Sequence, residues 1–413
     1  MNCCLMRSDK DAAKIVYAIP KLHFLRNKTP PHYGCRAAVP KPITTIMKYI
    51  TTHILLIAVL MLIPTRCAIA EEHDSSWTRN LQWIPIVAFS PETNLALGGA
   101  ANYTYRFDAS LPTDRTSYVQ PSLVYTLNNQ IQFDVSGEVI TPGEGYYADF
   151  AFSFWRFNEY YYGIGKNSAD ATGDMFDYTT VMAAARLSKQ LAPNFFAGMQ
   201  FDYYGMFNVK PQSDTGLIAR NSVTGARGGN NIGIGFSLMY DKRNHLITPT
   251  SDYFIELSNF MYSPLIGSDF TFHAMFLDIR KYFALDDDRN VLAFQFLGQN
   301  ILGNPSFKRM AEFGGQMIHR GFYTGRHRDL TMYGIQAELR QTIWDRLGAT
   351  LFVATGNVSP RLSAATVRAL ETSYGFGIRW LMNREEKVNL RLDIGFPHDS
   401  WSPGIYLTLG EAF

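Results

Sequence analysis

From about residue 81 onward, apolar side chains recur at every second position, the period that sends successive side chains to opposite faces of a β-strand. In QIQFDVSGEVI, Ile131, Phe133, Val135 and Val139 alternate with Gln132, Asp134, Ser136 and Glu138. In VNLRLDIGF, Val388, Leu390, Leu392, Ile394 and Phe396 alternate with Asn389, Arg391 and Asp393. NIGIGFSLMY and TSYGFGIRW repeat the pattern with glycine or a polar residue on the second face. A soluble sandwich also alternates, but its strands are usually shorter and its outer face is the polar one. One apolar face and one face of Gln, Asp, Glu and Arg, strand after strand, is the pattern of a membrane barrel with a wet interior.

The pattern marks segments near 81–89, 95–107, 116–127, 130–140, 145–155, 176–189, 193–209, 231–241, 251–262, 270–283, 290–299, 331–342, 346–355, 372–382, 388–396 and 404–413. They predict an all-β fold, a transmembrane antiparallel β-barrel of about 16 strands. The connections provide an independent check. If the first strand runs outward, odd connections are outer loops and even ones are short inner turns. The long connections 156–175, 210–230, 300–330 and 356–371 are all odd, whereas LAPN, ALDDDRN, WDRL and NREEK are all even. LNNQ is the exception among outer loops, and DKRNHLITPTSD among inner turns. Trp155, Tyr160, Tyr161, Tyr162 and Trp380 lie near strand ends, where an aromatic girdle would meet lipid head groups. The final GIYLTLGEAF puts Ile405, Leu407, Leu409 and Phe413 on one face, interrupted by Glu411. An amphipathic strand ending in an aromatic is what bacterial outer-membrane barrels present to the barrel insertion machinery.

No apolar run reaches the roughly 18 to 20 residues of a membrane-spanning helix. The longest, Ile54 to Ile63, follows Lys48 and precedes Pro64 and Ala68-Ile69-Ala70, the small-x-small form of a signal-peptidase site. The expected organisation is an upstream extension over 1–46, a signal peptide over 47–70 cleaved before Glu71, a short periplasmic segment over 71–80 and the barrel over 81–413. The extension reads as a start placed too far upstream or as an unusually long n-region, and both give the same mature protein. Arg66 before Cys67 argues against a lipid anchor. Residues 1–70 hold 10 Lys/Arg against 2 Asp/Glu, and residues 71–413 hold 28 against 34, a net of −6. The basic balance of the whole chain therefore gives no ground for nucleic-acid binding. All four cysteines (Cys3, Cys4, Cys35, Cys67) fall in the leader, leaving a mature segment that needs no disulfide.

IPIVAFSPETNLALGGAANYTYRF, YDKRNHLITPTSDYFIELS, HRGFYTG, AELRQTIWDRLGATLFVATGNV, YGFGIRW, RLDIGFP and YLTLGEAF occur in this order. Together they resemble the bacterial surface-antigen superfamily of outer-membrane barrels, which includes the BamA and TamA assembly factors and the two-partner secretion transporters. The resemblance runs from about Ile84 to Phe413 and is strongest after Asn231. It implies that the sixth outer loop folds back into the barrel, with Arg320 as a latch onto acidic residues of the lumen wall, Gly321 letting the backbone turn and Phe322 packing at the tip. Period two independently places Gln336, Glu338, Arg340 and Thr342 on one face of the next strand, so Glu338 points inward as a bidentate partner for a guanidinium. The family strand Phe-x-Asp-x-Gly reads Phe352-Val353-Ala354-Thr355-Gly356 here, with Ala354 in place of a second acid. Arg320 is thus expected to have one carboxylate partner, or to draw on another acid. Between Glu71 and the first strand only about ten residues are left, too few for a POTRA or patatin-like domain, which points to the barrel-only branch.

Other chemistry is weakly signalled. His319 and His327 share the cationic loop, yet two histidines without a nearby cysteine make a poor metal site, and Asp286 to Asp288 read as a solvated turn. YYGIGKNSADATGD has no following helix to cradle a phosphate. The mature segment has no Gly-x-Ser-x-Gly elbow, and His273 alone makes no dyad, so no enzyme, metal or cofactor is expected. The expected role is outer-membrane assembly or translocation of proteins or lipids, and the alternative is a passive channel or structural surface-antigen barrel. The expected surroundings are outer-membrane lipids, lipopolysaccharide, the insertion machinery and protein or lipid clients, with no nucleic acid.

Overall fold

The computed structural model describes residues 79–105, 107, 117–166, 173–286, 289–383, 387–400 and 402–413. The predicted leader, its cleavage site and most of the 71–80 segment lie outside these residues, as do Asp287 and Asp288. The wall is built from β1 (Arg79–Ser90), β2 (Asn94–Tyr105), β3 (Ser117–Thr126), β4 (Ile131–Ile140), β5 (Tyr146–Tyr161), β6 (Asp174–Ala192), β7 (Phe195–Pro211), β8 (Gly229–Asp241), β9 (Asp252–Tyr262), β10 (Thr271–Asp286) and β11 (Asn290–Asn304). It continues through β14 (Thr331–Trp344), β15 (Leu347–Ser359), β16 (Glu371–Asn383), β17 (Val388–Pro397) and β18 (Gly404–Leu409). These sixteen strands form a closed antiparallel barrel, each hydrogen-bonded to its neighbour in the wall, with β1 meeting β18. Closure satisfies the backbone groups internally, which lipid requires. Two short strands, β12 (Ala311–Phe313) and β13 (His327–Asp329), pair with each other in the sixth outer loop.

Alternation sorts the two faces. Leu123, Phe154, Phe236, Leu351 and Phe376 stand exposed on the outside, while Gln336, Glu338, Arg379 and Asp393 are buried inside. Inner connections are tight: residues 193–194 join β6 to β7, with Asn194 at φ 63°, and residues 345–346 join β14 to β15. Asparagine tolerates this left-handed backbone better than most residues.

Several boundaries differ from expectation. β5 runs to Tyr161 and β6 starts at Asp174, so much of the loop expected over 156–175 is strand. Trp155 and Tyr161 leave the expected girdle for the interior. Trp155 Nε1 donates to Asp134 Oδ1 at 2.9 Å, and Tyr161 is buried beside Phe307, whereas Tyr160 and Trp380 are exposed on the outer face.

The chain end also departs from its predicted course. Ile405, Leu407 and Leu409 keep one parity, but Gly410 at φ 81° ends the alternation and Phe413 turns inside. There it is buried with Tyr282, Val291, Ala293 and Ala412, and Arg340 Nη2 donates to its main-chain oxygen at 2.8 Å. The physical cause is Glu411, to which Arg379 Nε and Asn389 Nδ2 each donate at 2.8 Å. A carboxylate facing lipid would find no such partners.

Candidate functional site

The loop between β11 and β14, residues 305–330, occupies the lumen and is held in three places. At its stalk, Phe307 is fully buried against Tyr161 and Phe176, with ring centres 5.0 and 5.6 Å away. Beside it, Lys308 Nζ lies 2.6 Å from Glu159 Oε1, and Arg309 Nη2 lies 2.7 Å from Asp202 Oδ2. These contacts fix the stalk to the β5–β9 wall. The β12–β13 pair follows, closed by Arg328 Nη1 to Glu312 Oε1 at 3.2 Å. Phe313 and Phe322 bury themselves among Tyr262, Phe272, Ile301, Met332 and Val358, the apolar core of the filled lumen.

The tip crosses to the opposite wall. Arg320 is 1% exposed, and its Nη2 donates to Glu338 Oε2 while its Nη1 donates to Asp393 Oδ2, each at 2.5 Å. Its guanidinium carbon lies 3.6 Å from the centre of the Phe352 ring, a cation–π contact on the remaining side. Around this fork, Arg340 Nε donates to Glu338 Oε1 at 2.9 Å and Arg379 Nη1 to Asp393 Oδ1 at 2.6 Å. Arg391 Nε stands 3.6 Å from Asp393 Oδ2. Four arginines (320, 340, 379, 391) therefore share three buried acids, Glu338, Asp393 and Glu411.

Sequence reasoning named Arg320 and Glu338, which the structure brings together, and missed Asp393. The second carboxylate comes from β17 instead of β15, where Ala354 is buried. Asp393 stood on the polar face of RLDIGF, so its inward direction was readable, but its partner 73 residues away was not. Gly321 has φ 116° and lies back-to-back with Gly395, so that a Cβ on either would meet the other's backbone. Phe322 packs against Phe313 at 5.3 Å in the loop core. His319 stacks on Phe313 at 3.8 Å and rests over Gly334 and Gly356. Burial, aided by His327, pushes its pKa down to about 3, so it stays neutral.

The same tip touches both sides of the barrel's seam. Gly321 N donates to Tyr406 Oη on β18 at 3.0 Å, and Thr324 N donates to Glu92 Oε1 in the β1–β2 turn at 2.7 Å. The seam is short: among the described residues β1 and β18 share one register pair, Phe89 with Leu407, whereas β1 and β2 are in register from Arg79↔Tyr105 to Ser90↔Asn94.

At the inner mouth, the turn over 242–251 reaches across the lumen, where Thr248 Oγ1 donates to Lys387 O at 3.1 Å. His245 organises it by accepting at Nδ1 from Ile247 N at 3.2 Å and Thr248 N at 3.1 Å. Nδ1 must be unprotonated to do so. Burial, with Lys387 and Arg243 nearby, holds its pKa below the usual 6.5. An imidazole depressed in the folded turn is protonated first in the opened turn, so the closed form loses stability as pH falls below 6.5. Protection factors of the Ile247 and Thr248 amides, with the intrinsic pH dependence of exchange divided out, are expected to fall over that range, and H245N, which keeps an acceptor but cannot titrate, should flatten the dependence. Protection factors that do not change with pH in the unaltered chain would refute this.

The description of the Omp85 superfamily domain matches residues 115–413. Among solved structures, the chain is similar to BamA from Haemophilus ducreyi lacking POTRA domains 1–3, with TM-score 0.53 and 14% identity over 81% of this chain and 70% of that one. CdiB from Acinetobacter baumannii aligns with TM-score 0.48 and 11% identity over 82% of this chain and 66% of that one. No curated protein sequence matches the chain.

Proposed function

The chain belongs to the Omp85 superfamily, and from that premise we propose that it sits in the outer membrane of a Gram-negative bacterium and assists assembly or translocation of proteins or lipids through its β1–β18 seam. The observation that carries this reading is the seam itself: a six-residue β18 meets β1 at one register pair, under a loop tip that contacts both sides. A ring with few hydrogen bonds at one joint opens there at least cost, and the exposed edges can then pair with another strand. The filled lumen favours this role over a passive channel, because the loop lies where a solute would pass. The role requires no bond chemistry, and we assign no catalytic residue. Outer-membrane lipids and lipopolysaccharide surround the wall, the insertion machinery places it there, and the clients are proteins or lipids.

The segment 71–413 contains no cysteine, so F89C with L407C introduces the only thiols of the mature chain at a paired position, within the roughly 7 Å a disulfide needs. In a strain depleted of the wild-type protein, the oxidised variant is expected not to restore outer-membrane protein and lipid content, and reduction should restore it. Full restoration with the seam locked would exclude the seam as the working part. An unchanged membrane profile on depletion would favour a structural barrel.

A further inference from the structure

Among the described residues, the inner mouth carries positive charge that the buried network does not use. The 242–251 turn crosses it, Arg340 Nη1 donates to Pro249 O at 3.5 Å, and beneath the crossing is a cavity of about 420 Å³. Its wall includes Arg289, Arg340, Arg346, Arg379 and Lys387, against Asp345 and Glu411. Arg340 and Arg379 are engaged by Glu338, Asp393 and Glu411. The excess charge therefore falls on Arg289, Arg346 and Lys387, which form no ion pair with another described residue. Hydroxyls of Thr248, Thr250 and Thr342 and the amide of Asn389 line the same space.

A second observation sets the depth of this cavity. Leu347 is in register with both Trp344 and Trp380, and these two tryptophans are 76% and 47% exposed on the outer face of the same rim. Exposed tryptophans at a barrel rim lie at the level of the lipid head groups. Asp345 and Arg346 sit between Trp344 and Leu347 in the chain, so the cavity is level with the phosphates of the inner leaflet. Guanidinium groups bind phosphate through paired N–H bonds, and the hydroxyls of Thr250 and Thr342 supply further donors. The volume holds a phosphate with its glycerol or a similar small group, and leaves no space for acyl chains.

We propose that this cavity is a phosphate-binding site at the inner mouth, which takes the head group of an anionic phospholipid or a free phosphate. The site does not depend on whether the seam opens. Its ligand would tie the 345–346 and 387 turns to the 242–251 turn and steady the inner end of the barrel.

Calorimetric titration of the purified protein in a neutral detergent tests this at about 0.15 M salt, where exposed charges are largely screened. The probes are dihexanoyl-phosphatidylglycerol, inorganic phosphate and, as a zwitterionic control, dihexanoyl-phosphatidylcholine. Saturable binding of the anionic lipid, weakened about tenfold or more in R289Q/R346Q/K387Q, is the expected result. Binding of inorganic phosphate that the lipid does not improve would keep the site and make free phosphate its ligand. Equal binding of all three probes, binding unchanged in the variant, or no saturable binding would overturn the proposal. These three residues lie outside the buried network, so heat-modifiable migration should persist. If the triple variant does not fold, R346Q and K387Q alone make the same comparison.

Discussion

Glu338→Gln is expected to destabilise the barrel more than Arg320→Met, although the two side chains face each other. Glu338 accepts from three guanidinium groups, those of Arg320, Arg340 and Arg379, and none of its side chain is exposed. Its neutralisation leaves four arginines around two acids and points amide hydrogens at groups that can only donate. Removing one side of a buried pair typically costs roughly 3 to 5 kcal/mol, and this site lies at the upper end. Arg320→Met instead leaves three arginines with three acids, and Arg379 already reaches both Glu338 and Asp393. Methionine also keeps apolar contact with Phe352, so the expected cost is about 1 to 3 kcal/mol, that of lost buried hydrogen bonds. Denaturant midpoints in detergent, read by tryptophan fluorescence, order the two variants. If Arg320→Met proves the worse, loop attachment and not charge balance governs the stability of the lumen.

The wall was legible because lipid and lumen demand opposite side chains, and period two exposes that demand in every strand. The reading failed where the demand lapses. Phe157 and Tyr161 face inward to receive Phe307, so the outer end of β5 carries aromatics on the lumen side and does not read as a half-polar strand, whereas β6 was read from Phe176, two residues after its start. Asp393 was legible as an inward acid, but which acid meets the loop depends on strands far apart in sequence. Glu411 was the one visible sign that the chain end leaves the lipid face, an acid on an otherwise apolar stripe. The stalk contacts of Lys308 and Arg309 had no local signature, because their partners Glu159 and Asp202 are 149 and 107 residues away.

Gly395→Ala is expected to expel the loop tip without altering any charged side chain of the network, and to leave Arg340, Arg379, Arg391 and the three acids in place on the wall. A Cβ at Gly395 would run into the backbone of Arg320 and Gly321, and backbone at the centre of a docked loop has no side-chain rotamer through which to yield. The alternative, Gly321→Ala, would add the strain of a φ of 116° and so mix two effects. Gly395 avoids this confusion, since it lies within β17 and is in ordinary register with Gly375. If the tip leaves, Arg320 loses both carboxylates and its bond to trypsin becomes accessible, whereas in the docked loop the residue is 1% exposed. Limited trypsinolysis followed by mass spectrometry should then find cleavage between Arg320 and Gly321 in G395A, and none there in the parent at equal enzyme. Cleavage at the same rate in both would mean that the tip exchanges out of the lumen freely, and the glycine contact would not be what holds it. If cleavage rises in G395A but not in Glu338→Gln, which keeps the trypsin site and weakens the ion pair, backbone fit outweighs the ion pairs in docking the loop, and the opposite order would put the ion pairs first.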